Sequence, residues 1–143
     1  MKLSKSLVLT ALLTWFSAMP ALAEQKKQLG PWDVHYIALP TTVLDADIAA
    51  QYKIERSKFN GLLNISVLTS KDQQAQQVTL VGESKNLLGQ IKPLNFVEVK
   101  EGASVYYLAQ YGFKAEEFVT FTITITQGSQ SQRLQFNHTF YVD

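Results

Sequence analysis

Strict alternation of apolar and polar residues is the feature of this sequence that most restricts its fold. In FVTFTITIT, threonines occupy every second position, and the positions between them hold Val119, Phe121, Ile123 and Ile125. Successive side chains of a β-strand point to opposite faces, whereas a helix would scatter these residues around its axis. β-Branched residues also suit the pleated surface of a sheet. The segment is therefore predicted to be a strand with one buried face.

The same pattern continues to the C-terminus, where one side of the last segment carries Leu134, Phe136, His138, Phe140 and Val142. The polar link QGSQSQ, residues 127–132, is short enough to join antiparallel neighbours, which predicts a hairpin. Weaker alternation predicts further strands at 32–39, 62–69, 77–82, 94–99 and 105–111. In LDADIAAQYKI, Asp45 can cap a short helix near residues 45–52.

These elements predict an all-β domain, a two-sheet antiparallel immunoglobulin-like β-sandwich of seven or eight strands with one short helix. Turn residues punctuate the strands at the spacing of a sandwich, and no repeat of 20 to 50 residues occurs. A single domain is expected over residues 31–143, after a flexible polar lead-in at 24–30.

The first 23 residues have the three parts of a secretory signal peptide. Lys2 and Lys5 precede an apolar run, and the small residues around Ala21 and Ala23 form a cleavage site. The apolar run is shorter than the roughly 20 residues that a membrane-spanning helix needs. Cleavage is therefore expected after Ala23, and the mature protein should be exported, with no stable membrane insertion.

Charge and cysteine content exclude several classes of protein. Removing 23 of the 143 residues leaves 120 residues, and with Lys2 and Lys5 gone, 11 of the 13 basic residues face all 12 acidic ones. A formal charge of −1 gives no reason to expect binding to nucleic acid or general attraction to an anionic membrane. No cysteine is present, which excludes disulfides, thiolate metal ligands and thiol catalysis.

No constellation of catalytic residues can be recognised. The two histidines, His35 and His138, have no accompanying HExxH or GxSxG motif, and no phosphate-binding glycine loop occurs. Zinc and copper sites usually need three or four protein ligands, which two histidines do not supply. We expect no enzyme activity, no metal and no cofactor.

The segment ERSKFNGLLNISVL contains the dipeptide Asn60-Gly61, which tolerates the positive φ angles of a type I′ turn. The sequence therefore predicts a hairpin tip here, with Arg56 and Lys58 as charges that protect an exposed edge. In the alternative interpretation, Arg56 and Lys58 face an anion or a partner.

Three segments carry a resemblance to a known family: RSKFNGLLNISVL, NLLGQIKPLNFVEVKEGASVYYLAQYGF and FTITI. Together they resemble a small family of exported proteins of Gram-negative, gammaproteobacterial species, which is a domain of unknown function. The resemblance spans most of residues 30–142. It implies a periplasmic location and an immunoglobulin-like fold, and it supplies no established catalytic residues.

Two binding functions remain open. In the first, the domain binds another periplasmic protein or an envelope component through the surface around Arg56, Lys58 and Asn64. In the second, it carries a small ligand or glycan in an aromatic cleft that includes Trp32, Tyr36 and Tyr107. A protein binder should show a flat patch or an open edge, and a carrier should show a concave aromatic pocket.

Overall fold

The computed structural model describes residues 24–142. Within this range the chain forms nine strands and one short α-helix, α1 (Ala46–Gln51), which follows a turn of 3-10 helix (Thr41–Val43). The strands are β1 (Gln25–Leu29), β2 (Trp32–Pro40), β3 (Asn60–Thr69), β4 (Thr79–Asn86), β5 (Ile91–Leu94), β6 (Val97–Glu101), β7 (Ser104–Gly112), β8 (Glu117–Gln127) and β9 (Gln130–Phe140). The expected signal peptide, residues 1–23, lies outside the described residues.

The strands form two antiparallel sheets. The five-stranded sheet has the order β1-β2-β3-β7-β6, and the four-stranded sheet has the order β5-β4-β8-β9. The predicted C-terminal hairpin is present, and Gln127 pairs with Gln130 across a two-residue loop. Gly128 in this loop has a φ of +58°, which glycine adopts without strain. The two-sheet antiparallel immunoglobulin-like sandwich is therefore confirmed.

The core lies between the sheets, as the alternation predicts. Val119, Phe121, Ile123 and Ile125 of β8 are fully buried, and the threonines between them face outward. Facing them from the five-stranded sheet are Val34 of β2 and Leu63, Ile65 and Val67 of β3, which are also fully buried. Burying large apolar side chains between two layers is the main source of stability for such a sandwich.

The short helix is confirmed as well. The carboxylate of Asp45 accepts a hydrogen bond from the backbone N–H of Asp47, which caps the first turn. α1 does not contribute to the core between the sheets. Instead Ala49 forms a second apolar cluster with Ile54 and Leu62, on the outer face of the five-stranded sheet.

Two segments differ from the sequence prediction. Residues 24–30 contain β1, which pairs along its whole length with β2, from Gln25 opposite Tyr36 to Leu29 opposite Trp32. The flexible lead-in expected there is therefore not what the structure shows. Residues 94–99, expected as one strand, contain the end of β5 and the start of β6, and these two strands belong to different sheets.

The prediction of a hairpin tip at Asn60-Gly61 is wrong. These residues begin β3, which lies between β2 and β7 in the middle of its sheet. Gly61 does not adopt a positive φ. An added Cβ there would lie 2.3 Å from Cε1 of Phe140, so the glycine is needed for close packing of the two sheets.

No helix among residues 24–142 is long and apolar enough to cross a membrane.

Candidate functional site

A groove on the outer face of the five-stranded sheet is the candidate site. It consists of two cavities of about 390 and 310 Å³ that share several lining residues, and we call it the α1 groove. The shared lining comprises Gln51, Tyr52, Ile54, Leu62, Val99 and Leu108. The groove is thus a mainly apolar depression between α1 on one side and strands β6 and β7 on the other.

The groove exists because β6 and β7 carry apolar residues on the face that points away from the core. In β7, Tyr107 and Ala109 are buried between the sheets, whereas Tyr106 and Leu108 alternate with them and face outward. Val97 of β6 pairs with Leu108, and Val99 pairs with Tyr106. Helix α1 covers only part of this apolar surface, and Val97 and Ile48 remain exposed.

A polar contact between side chains crosses the groove near Tyr52. The hydroxyl of Tyr52 donates a hydrogen bond to a carboxylate oxygen of Glu101 at the end of β6. Both cavities have Tyr52 in their lining. The contact ties the C-terminal end of α1 to the edge strand and fixes the width of the groove at that point.

Among residues 24–142, two buried polar atoms without hydrogen-bond partners lie on the same face of the sheet. They are Oδ1 of Asn64 and Nε2 of His35. His35 pairs with Ser66 and Asn64 pairs with Ile37, so the two residues are diagonal neighbours on adjacent strands. Buried polar atoms are normally hydrogen bonded. Asn64 also lines the groove, and its free oxygen is a place where a bound molecule could donate a hydrogen bond.

The segment that follows the helix is held firmly against the sheet. Gln110 accepts hydrogen bonds from Glu55 N–H and from Nδ2 of Asn60, at 3.1 and 2.9 Å. The buried hydroxyl of Thr41 donates to the Asn60 carbonyl oxygen and accepts from Ser57 N–H. This network fixes the backbone of the loop that carries the two predicted binding residues Arg56 and Lys58.

Arg56 and Lys58 lie in the loop between α1 and β3, and they do not protect a strand edge as expected, because β3 is a central strand. Nη2 of Arg56 donates to the carbonyl oxygen of Thr42 at 3.3 Å. The ammonium of Lys58 lies 5.4 Å from the ring centre of Phe59. Of the predicted binding residues, only Asn64 lines the groove itself.

Trp32 and Tyr107 occupy the core and not an open cleft. Trp32 is 2% exposed and Tyr107 is 4% exposed, so neither side chain can contact a ligand at the surface. The hydroxyl of Tyr107 accepts a hydrogen bond from Val78 N–H, and burial raises the pKa of this phenol. Tyr36 is also buried, and its ring packs against that of Phe136. The aromatic cleft expected around Trp32, Tyr36 and Tyr107 is therefore not formed.

The two histidines lie in different sheets and in different environments. His35 lies on the outer face of the five-stranded sheet, with Nδ1 at 3.7 Å from a carboxylate oxygen of Glu24. His138 lies on the inner side of β9, where its ring packs against Phe140 and burial lowers its pKa. Among residues 24–142, neither histidine is hydrogen bonded to a serine, and no group of three His, Cys, Asp or Glu side chains is placed to hold a metal ion.

Sequence reasoning missed the groove, although one signal pointed to it. The run Val105-Tyr106-Tyr107-Leu108-Ala109 is apolar without interruption, which is typical of a strand covered on both faces. The alternation of β8 dominated the fold prediction, and no pattern in the sequence indicated where α1 would lie. Its position over one face became visible only in three dimensions.

Comparison with known proteins adds the family and the fold. Residues 26–143 match the family described as "Domain of unknown function (DUF4426)". A solved DUF4426 family protein from Pseudomonas aeruginosa PAO1 is 30% identical, with a TM-score of 0.73, over 84% of this chain and 96% of that chain. No curated protein matches the sequence.

Two structures of FetP from uropathogenic Escherichia coli strain F11 are more distant. Both are 10% identical and cover 83% of this chain. A copper-bound variant gives a TM-score of 0.57 over 95% of its own chain. The as-isolated protein, expressed recombinantly in the periplasm, gives 0.54 over 93%. At this identity the likeness shows a shared fold.

Proposed function

This chain belongs to the DUF4426 family, and we propose that it acts in the periplasm as a non-catalytic binding module. Its α1 groove receives an apolar segment of another exported protein. The observation that carries this proposal is the groove itself, an apolar depression on a face that the fold does not need for its core. The signal-peptide pattern of residues 1–23 supports the location.

The chemistry of the groove suits a protein segment. Leu62, Leu108 and Val99 provide an apolar floor, and Tyr52 and Tyr106 provide rings with polar tips, a composition that recurs at recognition surfaces. The unpartnered oxygen of Asn64 can accept a hydrogen bond from a backbone N–H of the bound segment.

Strand addition at a sheet edge fits less well, because the edge strands carry features that discourage it. β5 contains Pro93, which cannot donate to a ladder, and β6 carries the charges of Glu98, Lys100 and Glu101. The longest edge strand, β9, is partly covered by β1, since Nζ of Lys27 donates to the Gln135 carbonyl oxygen at 2.6 Å. The groove therefore supports partner binding better than the edges of β5, β6 and β9 do.

A small apolar ligand is the second candidate, and cavity size favours it. Each of the two cavities falls within the range of roughly 300 to 1,000 Å³ that is usual for ligand sites. Such a carrier would use the α1 groove and not the buried Trp32. Crosslinking can distinguish the two candidates, because a carrier of small ligands gives no protein adduct when a crosslinker is placed in the groove.

Copper is not part of the proposal. One FetP structure is described as copper-bound, but that protein shares only the fold with this chain. His35 and His138 lie in different sheets and face different environments, and residues 24–142 hold no cluster of three candidate ligands. The residues present therefore do not supply the ligands that a copper site needs.

Site-specific photo-crosslinking in intact cells tests the proposal. A photoreactive amino acid replaces Ile48 or Val97 at the rim of the groove, and Val81 on the outer face of the other sheet serves as the matched control. All three side chains are apolar and exposed, so the replacements should leave the fold intact. We expect a discrete protein adduct from positions 48 and 97, identified by mass spectrometry, and none from position 81. The same pattern of adducts at all three positions would contradict the proposal.

A variant tests the loop beside the groove. Arg56→Ala with Lys58→Ala removes two exposed charges from the loop that follows Ile54, a residue that lines the groove. We expect a weaker adduct at position 97 and a thermal unfolding midpoint close to that of the wild type, because neither side chain is buried. An unchanged adduct would show that these charges lie outside the contact surface.

A further inference from the structure

The hairpin between β4 and β5 exposes large apolar side chains at its end. Leu87 is 81% exposed and Leu88 is 85% exposed, and Ile91 at the start of β5 is also exposed. We call these three residues the leucine tip. Isolated apolar residues on a surface are ordinary, but two adjacent leucines at the end of a projecting hairpin form a patch that calls for an explanation.

The backbone of the leucine tip is held rigidly. Oδ1 of the buried Asn86 accepts hydrogen bonds from Leu88 N–H and Gln90 N–H, at 3.0 and 2.9 Å. Nδ2 of Asn86 donates to Oε1 of Gln90 and to Oε1 of Glu117. The hydroxyl of Tyr111 donates to the other oxygen of Glu117 at 2.6 Å. The leucines are therefore presented outward on a fixed turn, and little conformational entropy is lost when they bind.

Lysines surround the leucine tip. Lys85 pairs with Ile91 across the hairpin. Lys92 follows on β5, where its ammonium donates to the Gly112 carbonyl oxygen and lies 4.9 Å from the ring centre of Tyr111. A cleft of about 780 Å³ runs beside Leu88, and Lys114 is part of its wall. Phe59 also lines this cleft, which places the neighbouring Lys58 at the same end of the molecule.

The acidic residues at this end are fewer. Glu116 and Glu117 line the cleft, and Glu117 is engaged by Tyr111 and Asn86. Glu83, which lines a further cavity together with Ile91, is a third acidic residue here. Four lysines against three glutamates leave this end with a small excess of positive charge, although residues 24–143 together carry a formal charge of −1. Basic residues thus outnumber acidic ones where the apolar residues project.

We propose that the leucine tip docks this protein on a membrane surface that contains anionic lipids. The leucines enter the boundary between headgroups and acyl chains, and the surrounding lysines contact the anionic headgroups. Apolar side chains combined with basic residues are the two contributions that bind proteins to the surface of a bilayer without spanning it. The contact lies on the four-stranded sheet, so it leaves the α1 groove free and goes beyond the proposed function.

Vesicle sedimentation tests this inference. The chain from Glu24 to Asp143 is mixed with phosphatidylcholine vesicles, either pure or with one quarter phosphatidylglycerol. We expect binding to the mixed vesicles that weakens as the salt concentration rises, and much weaker binding to the neutral ones. Leu87→Ser with Leu88→Ser should reduce the affinity for the mixed vesicles at least about tenfold. The double substitution removes the apolar area that is buried in the bilayer on binding, and it leaves the lysines in place.

Val81→Ser is the matched control, because Val81 is 68% exposed on the same sheet and lies four residues before Lys85, outside the leucine tip. It should bind like the wild type. Circular dichroism of all variants checks that the fold is retained. Absence of wild-type binding to mixed vesicles, or equal binding by the double serine variant, would overturn the inference. Sedimentation equilibrium showing a dimer that the serine variant loses would assign the tip to a second copy of the chain instead.

Discussion

At the scale of the residue, Gly61 shows how a familiar dipeptide can mislead. Asn-Gly predicts a turn because both residues tolerate positive φ. Here the glycine serves a different purpose, since the ring of Phe140 from the opposite sheet occupies the space where a side chain would stand. Asn60 is buried and donates to the Glu55 carbonyl oxygen at 2.8 Å. Gly61 is needed for packing between the layers, and Asn60 holds the loop that follows α1. A local sequence pattern reveals neither role.

Gly61→Ala should therefore destabilise the protein. The new methyl group would overlap Phe140, and overpacking of a core typically costs about 1–3 kcal/mol. Denaturant unfolding measures the change. Gly112→Ala is the matched control, because Gly112 lies opposite Asn60 in β7, and only a backbone oxygen, 4.0 Å away, approaches its missing Cβ. If the two variants lose the same stability, the contact with Phe140 is not the cause. In a Phe140→Leu background the cost of Gly61→Ala should shrink.

At the scale of the element, β1 shows what a composition-based reading misses. Lys26 and Lys27 made residues 24–30 look like a polar extension, and the side chains of β1 are indeed mostly exposed. The strand is ordered by the hydrogen bonds of its backbone to β2, and Gly30-Pro31 form the turn that connects the two strands. Glycine followed by proline between two segments was a usable turn signal. The sequence lacked apolar alternation here because an edge strand outside the core has no face to bury.

A chain that begins at Pro31 should fold but associate. Removing β1 uncovers the edge of β2 and also the edge of β9 that Lys27 contacts, and open edges pair with other chains. We expect a lower unfolding midpoint and a concentration-dependent increase in sedimentation coefficient compared with the chain from Glu24. The substitution Lys27→Ala in the longer chain separates the two effects, because it removes the contact with β9 and keeps β1 paired. A monomeric shortened chain would contradict the protective role of β1.

At the scale of the whole molecule, the sequence predicted the architecture well and the candidate groove poorly. Strong alternation in β8 and β9 follows directly from burial between two sheets, so the sandwich could be predicted. The α1 groove depends on where one short helix lies, and that position is set by contacts between Ala49, Ile54 and Leu62. No sequence motif indicates these contacts. Trp32 and Tyr107 were assigned to a ligand cleft because their chemistry suits one, whereas the core needs large rings equally.

Acid should destabilise the folded protein in two steps. Burial lowers the pKa of His138 below 6.5, and hydrogen bonds from Gln73 and Ser70 lower the pKa of Asp33 below 3.8. In both cases the unfolded chain binds a proton more readily than the folded one. Stability therefore falls as the pH drops from 6.5 to the lower folded pKa of His138, and again from 3.8 to that of Asp33.

Urea unfolding at a series of pH values measures these two steps. His138→Gln should remove the first step and keep the second, and Asp33→Asn should do the reverse. Asp33→Asn should also lower the stability at neutral pH, because the amide replaces a charged acceptor of two hydrogen bonds. A first step that persists in His138→Gln would assign it to another group.

The turn fixed by Asn86 has a consequence for resistance to proteolysis. Proteases that favour leucine need several residues of free, extended backbone, and exposed loop ends are usually their first targets. Here cleavage beside Leu87 or Leu88 would first require the breaking of the Asn86 contacts. A hydrophobic hairpin end held in this way can resist cleavage by proteases although its side chains are exposed to solvent.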